Sequence, residues 1–201
     1  ELGAKMVGRW PGGAPLTISP EHDDPRHKNA NAFTYVKDDS VGTRCPVGAH
    51  IRRANPRDAL GAGRDHEDSV TMVRKHQMVR RGRPFGLPLS KTLDPREMID
   101  AKADSEERGL HFICLVGNIS RQFEFVQRNW IQSANFGGLF KDADPLTARR
   151  RRGENANDEF TCPAVPVRRK YKGLPAFTTL VGGGYFFLPG LAALRFIARH
   201  P

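Results

Sequence analysis

Apolar positions along the chain fall into separated runs. The clearest is LHFICLV, residues 110–116, set between Gly109 and Gly117. A short apolar run bounded by glycines predicts a strand buried on both faces. Asn118 or Ser120 then caps a helix. Over residues 121–132, Phe123, Val126, Trp130 and, one step off, Gln127 mark one helical face, widened by Phe125 and Ile131. The chain closes on the same order of elements. Residues 177–188 (FTTLVGGGYFFL) predict a second strand, and Pro189 stands at or near the start of the helical phrase LAALRFIARH.

The remaining segments are less regular. Leu2, Met6 and Val7 predict a short helix that breaks before Pro11. Residues 10–55 are dense in Pro, Gly, Asp and Asn with no sustained period, which predicts an extended, wrapping segment. Residues 70–80 (VTMVRKHQMVR) read as a strand or hairpin arm, ended by Gly82, Pro84 and Gly86. Residues 135–157 return to loop chemistry. Two strand-then-helix units without a GxGxxG fingerprint fit an α+β sandwich better than a nucleotide-binding Rossmann domain.

Composition adds limits. The 15 prolines and 20 glycines predict long loops without a low-complexity repeat. Apolar stretches fall short of the roughly 20 residues of a membrane span, so no membrane-spanning helix is expected. The opening ELGAKMVGRW has no signal-peptide pattern and no initiator Met, so the visible start reads as internal. Cys45, Cys114 and Cys162 are far apart and form no CxxC pair, so free thiols are expected, which weakly favours a reducing, cytoplasmic compartment. The net charge of +10 and the run Arg149, Arg150, Arg151, Arg152 raise the question of nucleic acid. No aromatic residue interleaves that run and no recognised nucleic-acid motif accompanies it. Nucleic acid is therefore a disfavoured partner, and a solvated basic loop explains the run.

One phrase carries chemistry. In CPVGAHIRRANPRD, the small residues Gly48 and Ala49 precede His50, and Arg52, Arg53 and Arg57 follow it. A neutral imidazole is a good axial iron ligand, small neighbours let a flat macrocycle approach, and guanidinium groups pair with propionates. A structural histidine beside surface arginines explains the same phrase.

The order of several phrases separates these readings. CPVGAHIRRANPRD, VRRGRPFG, ERGLHFICLVGNISRQFEFVQRNW, FGGLFKDADPL and GGGYFFLPGLAALRF, in this order, resemble the C-terminal part of dye-decolourising-type haem peroxidases over nearly the whole chain. The resemblance implies an α+β, ferredoxin-like sandwich of the dimeric α/β-barrel type with long Pro- and Gly-rich loops. It implies haem b held by His50 as the proximal ligand, and oxidation of dyes or phenolic compounds with hydrogen peroxide. Arg80, beside Arg81 and Arg83, takes the place of the family's distal arginine. Leu110 and Phe112, on one face of the predicted strand, take that of an apolar distal wall, a pattern that core packing explains equally well. Asp144 in DADPL is a candidate acceptor for the His50 N–H, with Asp142 as the competing choice.

The departures from the family matter as much. Neither its first ferredoxin-like domain nor the GxxDG phrase, whose Asp is the distal acid-base group, occurs in these residues. The expected organisation is a wrapping segment, 1–57, ending in the ligand motif, then a ferredoxin-like haem-binding domain, 58–201. The expected partners are peroxide, a bulky organic reductant, and a missing N-terminal half or second chain; a homo-oligomer stays open. Trp10, Trp130, Tyr171 and Tyr185 are candidate entry points for electrons from bulky reductants, and His76 or Asp104 are stand-ins for the distal acid. The alternatives are a haem-binding module without catalysis and a basic, nucleic-acid-interacting protein.

Overall fold

Helix α1 (Leu2–Val7) stops ahead of Pro11, at Gly8, whose φ of 96° forms a left-handed cap with its N–H bonded to the Ala4 carbonyl. A Cβ at Gly8 would stand 2.5 Å from Ile51 Cγ1, so this glycine also lets the N-terminal helix approach the ligand motif. The computed structural model describes residues 1–61, 66–92, 94–102 and 104–200.

Residues 9–49 run mostly in turns and irregular backbone, with a 3-10 turn at Pro25–His27 and the one-turn helix α2 (Val36–Asp39). Buried carboxylates hold the wrap in place of regular backbone pairing. Asp39 accepts from the Cys45 N–H at 2.7 Å and the Arg44 N–H at 3.1 Å, and Asp58 accepts from the Tyr35 N–H at 2.7 Å. These bonds satisfy buried backbone donors that no strand or helix could serve. Ala4, Leu16, Phe33, Tyr35, Cys45 and Ala49 fill the space inside.

Helix α3 (His50–Ala54) follows and ends at Asn55, the residue before Pro56, where helical geometry is disfavoured. Helix α4 (His66–Arg74) replaces the first half of the strand expected over 70–80. Its buried residues, Ser69 and Val73, are four apart, the spacing of one helical face.

Strand β1 (Val79–Phe85) then runs straight through Gly82 and Pro84, expected to end it. Among the described residues it pairs only with β2 (Gly109–Leu115), and an edge strand accommodates a residue without an N–H. Helix α5 (Pro95–Asp100) lies between them in the chain. The β2 prediction holds in place but not in burial. Ile113 and Leu115 are 53% and 52% exposed, because no second layer covers this hairpin.

The helix predicted over 121–132 is wound as two π-helical segments, Ser120–Glu124 and Val126–Ile131. The Glu124 N–H reaches back to the Ile119 carbonyl at 3.0 Å and the Gln132 N–H to the Gln127 carbonyl at 2.9 Å. Such turns are rare and concentrate at functional sites. Val126, Trp130 and Ile131 pack with Val73 of α4.

Strands β3 (Phe160–Cys162) and β4 (Arg169–Tyr171) form a second antiparallel pair, against which Met6 of α1 packs through Phe160 and Leu174. Residues 177–188 form no strand: Leu180 and Phe186 are 89% and 90% exposed, with no neighbouring strand to accept their backbone bonds. Helix α6 (Leu191–Arg199) follows as expected. Among the described residues, no helix is long and apolar enough to cross a membrane. The fold class is α+β.

Candidate functional site

The local chain places His50 at the first turn of α3. Ala49 is extended, with φ −60° and ψ 141°, and its N–H bonds to the Pro46 carbonyl at 2.9 Å, so the helix begins abruptly after a turn. His50 and Arg53, three apart, share one side of the helix and meet the DADPL loop; Arg52 leaves toward the wrap.

His50 Nδ1 lies 2.9 Å from Asp144 Oδ2. The other carboxylate oxygen of Asp144 accepts from the Leu146 N–H at 3.1 Å, the Thr147 N–H at 2.8 Å and the Thr147 hydroxyl at 2.9 Å. Burial by itself raises the pKa of this carboxyl. The bonds from His50 and Thr147 outweigh it and hold Asp144 below its ordinary value. An ionised carboxylate makes Nδ1 the donor, which leaves the Nε2 lone pair of a neutral imidazole free. The competing candidate, Asp142, does not reach His50. It pairs with Arg53, Oδ1 to Nη2 at 3.3 Å, and accepts from the Thr161 N–H at 2.7 Å.

A pocket of about 240 Å³ opens beside His50, with Asn55, His76, Arg80, Phe112 and Trp130 among its walls. The β1–β2 register, Arg80 opposite Cys114 and Gly82 opposite Phe112, puts Arg80 and Phe112 on the same face of the hairpin. Arg81 and Arg83 point the other way. Leu110 shares the face but not the pocket: its Cδ1 stands 3.1 Å from where a Cβ at Gly82 would be, and its side chain covers that glycine.

The three arginines after His50 require a correction. Arg52 is buried and donates to the Cys45 carbonyl at 2.8 Å and the Asp39 carbonyl at 3.0 Å. Arg57 donates to the Asn31 and Phe33 carbonyls at 3.0 and 3.1 Å and lies over the Phe33 ring. Arg53 is fully buried, with donors on the Gly48, Trp130 and Ser133 carbonyls. None of the three faces the pocket, so none is placed to meet a propionate there. Buried backbone carbonyls took them, a demand that composition does not reveal.

Sequence reasoning passed over Asn55 and gave His76 only as a stand-in. His76 stacks on Phe125 at 3.8 Å between ring centroids, and its Nδ1 lies 2.5 Å from the Arg121 carbonyl. A carbonyl partner makes that nitrogen the donor, leaving Nε2 a lone pair at the pocket. Asn55 Oδ1 is buried with no hydrogen-bond partner. The available signal was proximity: Asn55 closes α3, and His76 stands four residues before Arg80.

A planar, largely apolar group with polar edges fits these walls. Two imidazoles with Nδ1 already bonded, His50 and His76, an unpartnered amide oxygen on Asn55 and the Arg80 guanidinium sit around aromatic and aliphatic surface. Among the described residues no group of three or more His, Cys, Asp or Glu is arranged to hold a metal, so a metal on His50 must bring its other donors with it.

No family model matches the chain. Individual relatives do. It is 33% identical over 210 residues to the dye-decolorizing peroxidase msp1 of Mycetinis scorodonius, covering 96% of this chain. The chain belongs to the dye-decolorizing peroxidase family. It spans only 38% of the length of that relative. Among solved structures it superposes on DyP2 from Amycolatopsis sp. with a TM-score of 0.65 and 28% identity, over 87% of this chain and 36% of that one. A DyP-type peroxidase from Anabaena sp. gives 0.64 and 26%, over 85% and 33%. The ferredoxin-like α+β class of dye-decolorizing peroxidases is therefore the fold class of this chain, here with its described strands in two separate pairs.

Proposed function

We propose that this chain is the haem-ligating part of a dye-decolourising-type peroxidase that binds haem b and oxidises dyes or phenolic compounds with hydrogen peroxide. The observation that carries the reading is the His50–Asp144 bond at the mouth of the pocket. Haem b supplies iron for two-electron reduction of peroxide.

The chain's own residues divide the remaining work. His50 would hold the iron through Nε2, and Asp144, accepting a hydrogen bond from the Nδ1–H, would make the ring a stronger donor. His76 and Asn55 offer polar contacts to the cofactor's edge, in place of the arginines first considered. Arg80 brings a positive charge to the hairpin wall, where it stabilises negative charge developing on a reacting oxygen. Phe112 and Trp130 exclude water.

Residues 1–57 carry the ligand motif with Ala54 and Asn55 on one wall, and residues 58–201 supply the other walls. The carboxylate that moves a proton between the two oxygens of peroxide has no counterpart among the residues lining the pocket. We assign it to the part of the family's length that this chain does not span, whether joined or separate. The test is haem titration followed by the Soret band. The chain should saturate at one haem, and His50→Ala should lose that stoichiometric binding; an unchanged Soret titration in His50→Ala overturns the assignment.

A further inference from the structure

Two carboxylates of one short loop meet two residues of one short helix. Asp144 takes His50, and Asp142 takes Arg53 one turn further along α3. Asp142 and Asp144 are both fully buried, two residues apart, and have the same side chain. Nothing in the phrase DAD itself says which one faces the imidazole.

Arg53 supplies the distinction. Its Nε donates to the Gly48 carbonyl at 3.0 Å, its Nη1 to the Trp130 and Ser133 carbonyls at 2.9 Å each, and its Nη2 to the Asp142 carbonyl and carboxylate. One guanidinium thus joins the turn before α3, the end of the π-helix and the DADPL loop. Backbone amides tie the loop back to the end of that helix and the turn after it, Asp144 N–H to the Ile131 carbonyl at 3.0 Å and Asp142 N–H to the Ala134 carbonyl at 3.1 Å. Gly48 completes the joint: a Cβ there would stand 2.8 Å from Asp142 Oδ1.

We propose that Arg53 is a positioning residue, a buried strut that sets the register of the DADPL loop so that Asp144, and not Asp142, holds the imidazole of His50. A planar fork with five donors serves carbonyls from three segments; a lysine ammonium cannot. A buried charge of this kind adds little net stability and is retained where it specifies one arrangement over a near-equivalent one. The inference rests on the reading that the site works through His50 and Asp144, and its test reads that pair directly, without haem.

The measurement is the His50 Nδ1 proton in nitrogen-15 NMR spectra of the full, haem-free chain. In the parent this proton should be resolved, shifted downfield and slow to exchange. Arg53→Lys should move it upfield and speed its exchange by about tenfold or more, the factor for losing one charge-assisted hydrogen bond. Asp142→Asn, which can serve Arg53 or the Thr161 N–H but not both, should do the same if Arg53→Lys fails to fold. Millimolar guanidinium added to Arg53→Ala should restore the parent signal. Leu16→Ala, which weakens the core of the wrap, should leave the signal in place, so general loss of stability is told apart from loss of register. Folded Arg53→Lys and Asp142→Asn chains with the parent shift and exchange overturn the proposal, as does an equal effect of Leu16→Ala. An unchanged signal in Asp144→Asn overturns the pairing of His50 with Asp144 itself, and the strut with it.

Discussion

Replacing Asp144 with Asn should harm haem binding more than replacing it with Ala, although Ala is the larger deletion. The reason lies in how the carboxylate's two oxygens are used. Oδ1 serves the Leu146 and Thr147 N–H groups and the Thr147 hydroxyl, and Oδ2 serves His50. In Asp144→Asn, turning the NH2 toward Leu146 and Thr147 would leave two partly buried backbone donors unserved, at about 1–3 kcal/mol each. The amide oxygen therefore stays on that side, and the NH2 faces Nδ1 of His50. Donor meets donor unless the imidazole changes tautomer, and the changed tautomer carries its proton on Nε2, where the iron ligand has to be. Losing such a supporting contact typically lowers metal affinity by about 10- to 100-fold. In Asp144→Ala the ring chooses its tautomer freely and keeps more affinity. The cost appears in stability, as two unserved donors worth about 2–3 kcal/mol at the low end of that range for partly buried groups. That lowers Tm by roughly 4 °C or more for a chain of this size. Soret titrations and thermal unfolding of both variants provide the assay. Asn binding haem as tightly as the parent, or more tightly than Ala, would refute the tautomer argument.

Further outcomes follow from the same contacts. Arg80→Leu should keep haem bound but slow reaction with peroxide by about 10²- to 10³-fold, read by stopped-flow with the rest of the family's length supplied; equal rates would remove Arg80 from the site. Arg57→Ala should leave haem affinity unchanged in a Soret titration, because its donors are on Asn31 and Phe33, whereas a propionate role requires weaker binding. Burial pushes the Cys45 thiol up to about 12, so at pH 8 it should escape alkylation in the native chain and react only after unfolding, as read by mass spectrometry. Leu16→Ala should cost about 2–5 kcal/mol of stability by denaturant unfolding, as for other fully buried leucines.

The legible parts of this molecule were those set by local rules. The helix at Leu2–Val7 with its glycine stop, β2 within one residue at each end, the helix after it and the last helix all follow from apolar spacing and caps. What local rules missed was set at a distance. Val70 and Val73 have the residue types of a strand, but burial of Ser69 and Val73 on one side selected a helix. The π-winding of residues 120–131 leaves no mark in an apolar pattern that also fits an ordinary helix. At the site, His50, Arg80 and Phe112 line one pocket, and Asp144 reaches His50 from outside it. The arginine cluster was misread because charge in a sequence does not tell a ligand-facing guanidinium from one consumed by buried carbonyls. Arg53 makes the point, its donors spent on segments up to 89 residues away.

Exposure of the hairpin and the C-terminal segment has one further consequence. Val79, Ile113 and Leu115 are 68%, 53% and 52% exposed, and Phe186, Phe187 and Leu188 are 90%, 85% and 70% exposed. A two-stranded hairpin gains independent stability only with further strands or a packed layer. Arg80 and Phe112, which form the wall facing His50, stand on that same hairpin. The stiffness of the pocket wall and the covering of the hairpin are thus one equilibrium viewed from two sides. On the proposed function, a layer seated on the outer face would hold the inner face in place, and haem held by His50 would favour that covered state by the same free energy. On the same reading, supplying the part of the family's length that this chain does not span should raise haem affinity as well as restore proton transfer. An added polypeptide that supplies only a carboxylate, without seating on the hairpin, would restore neither.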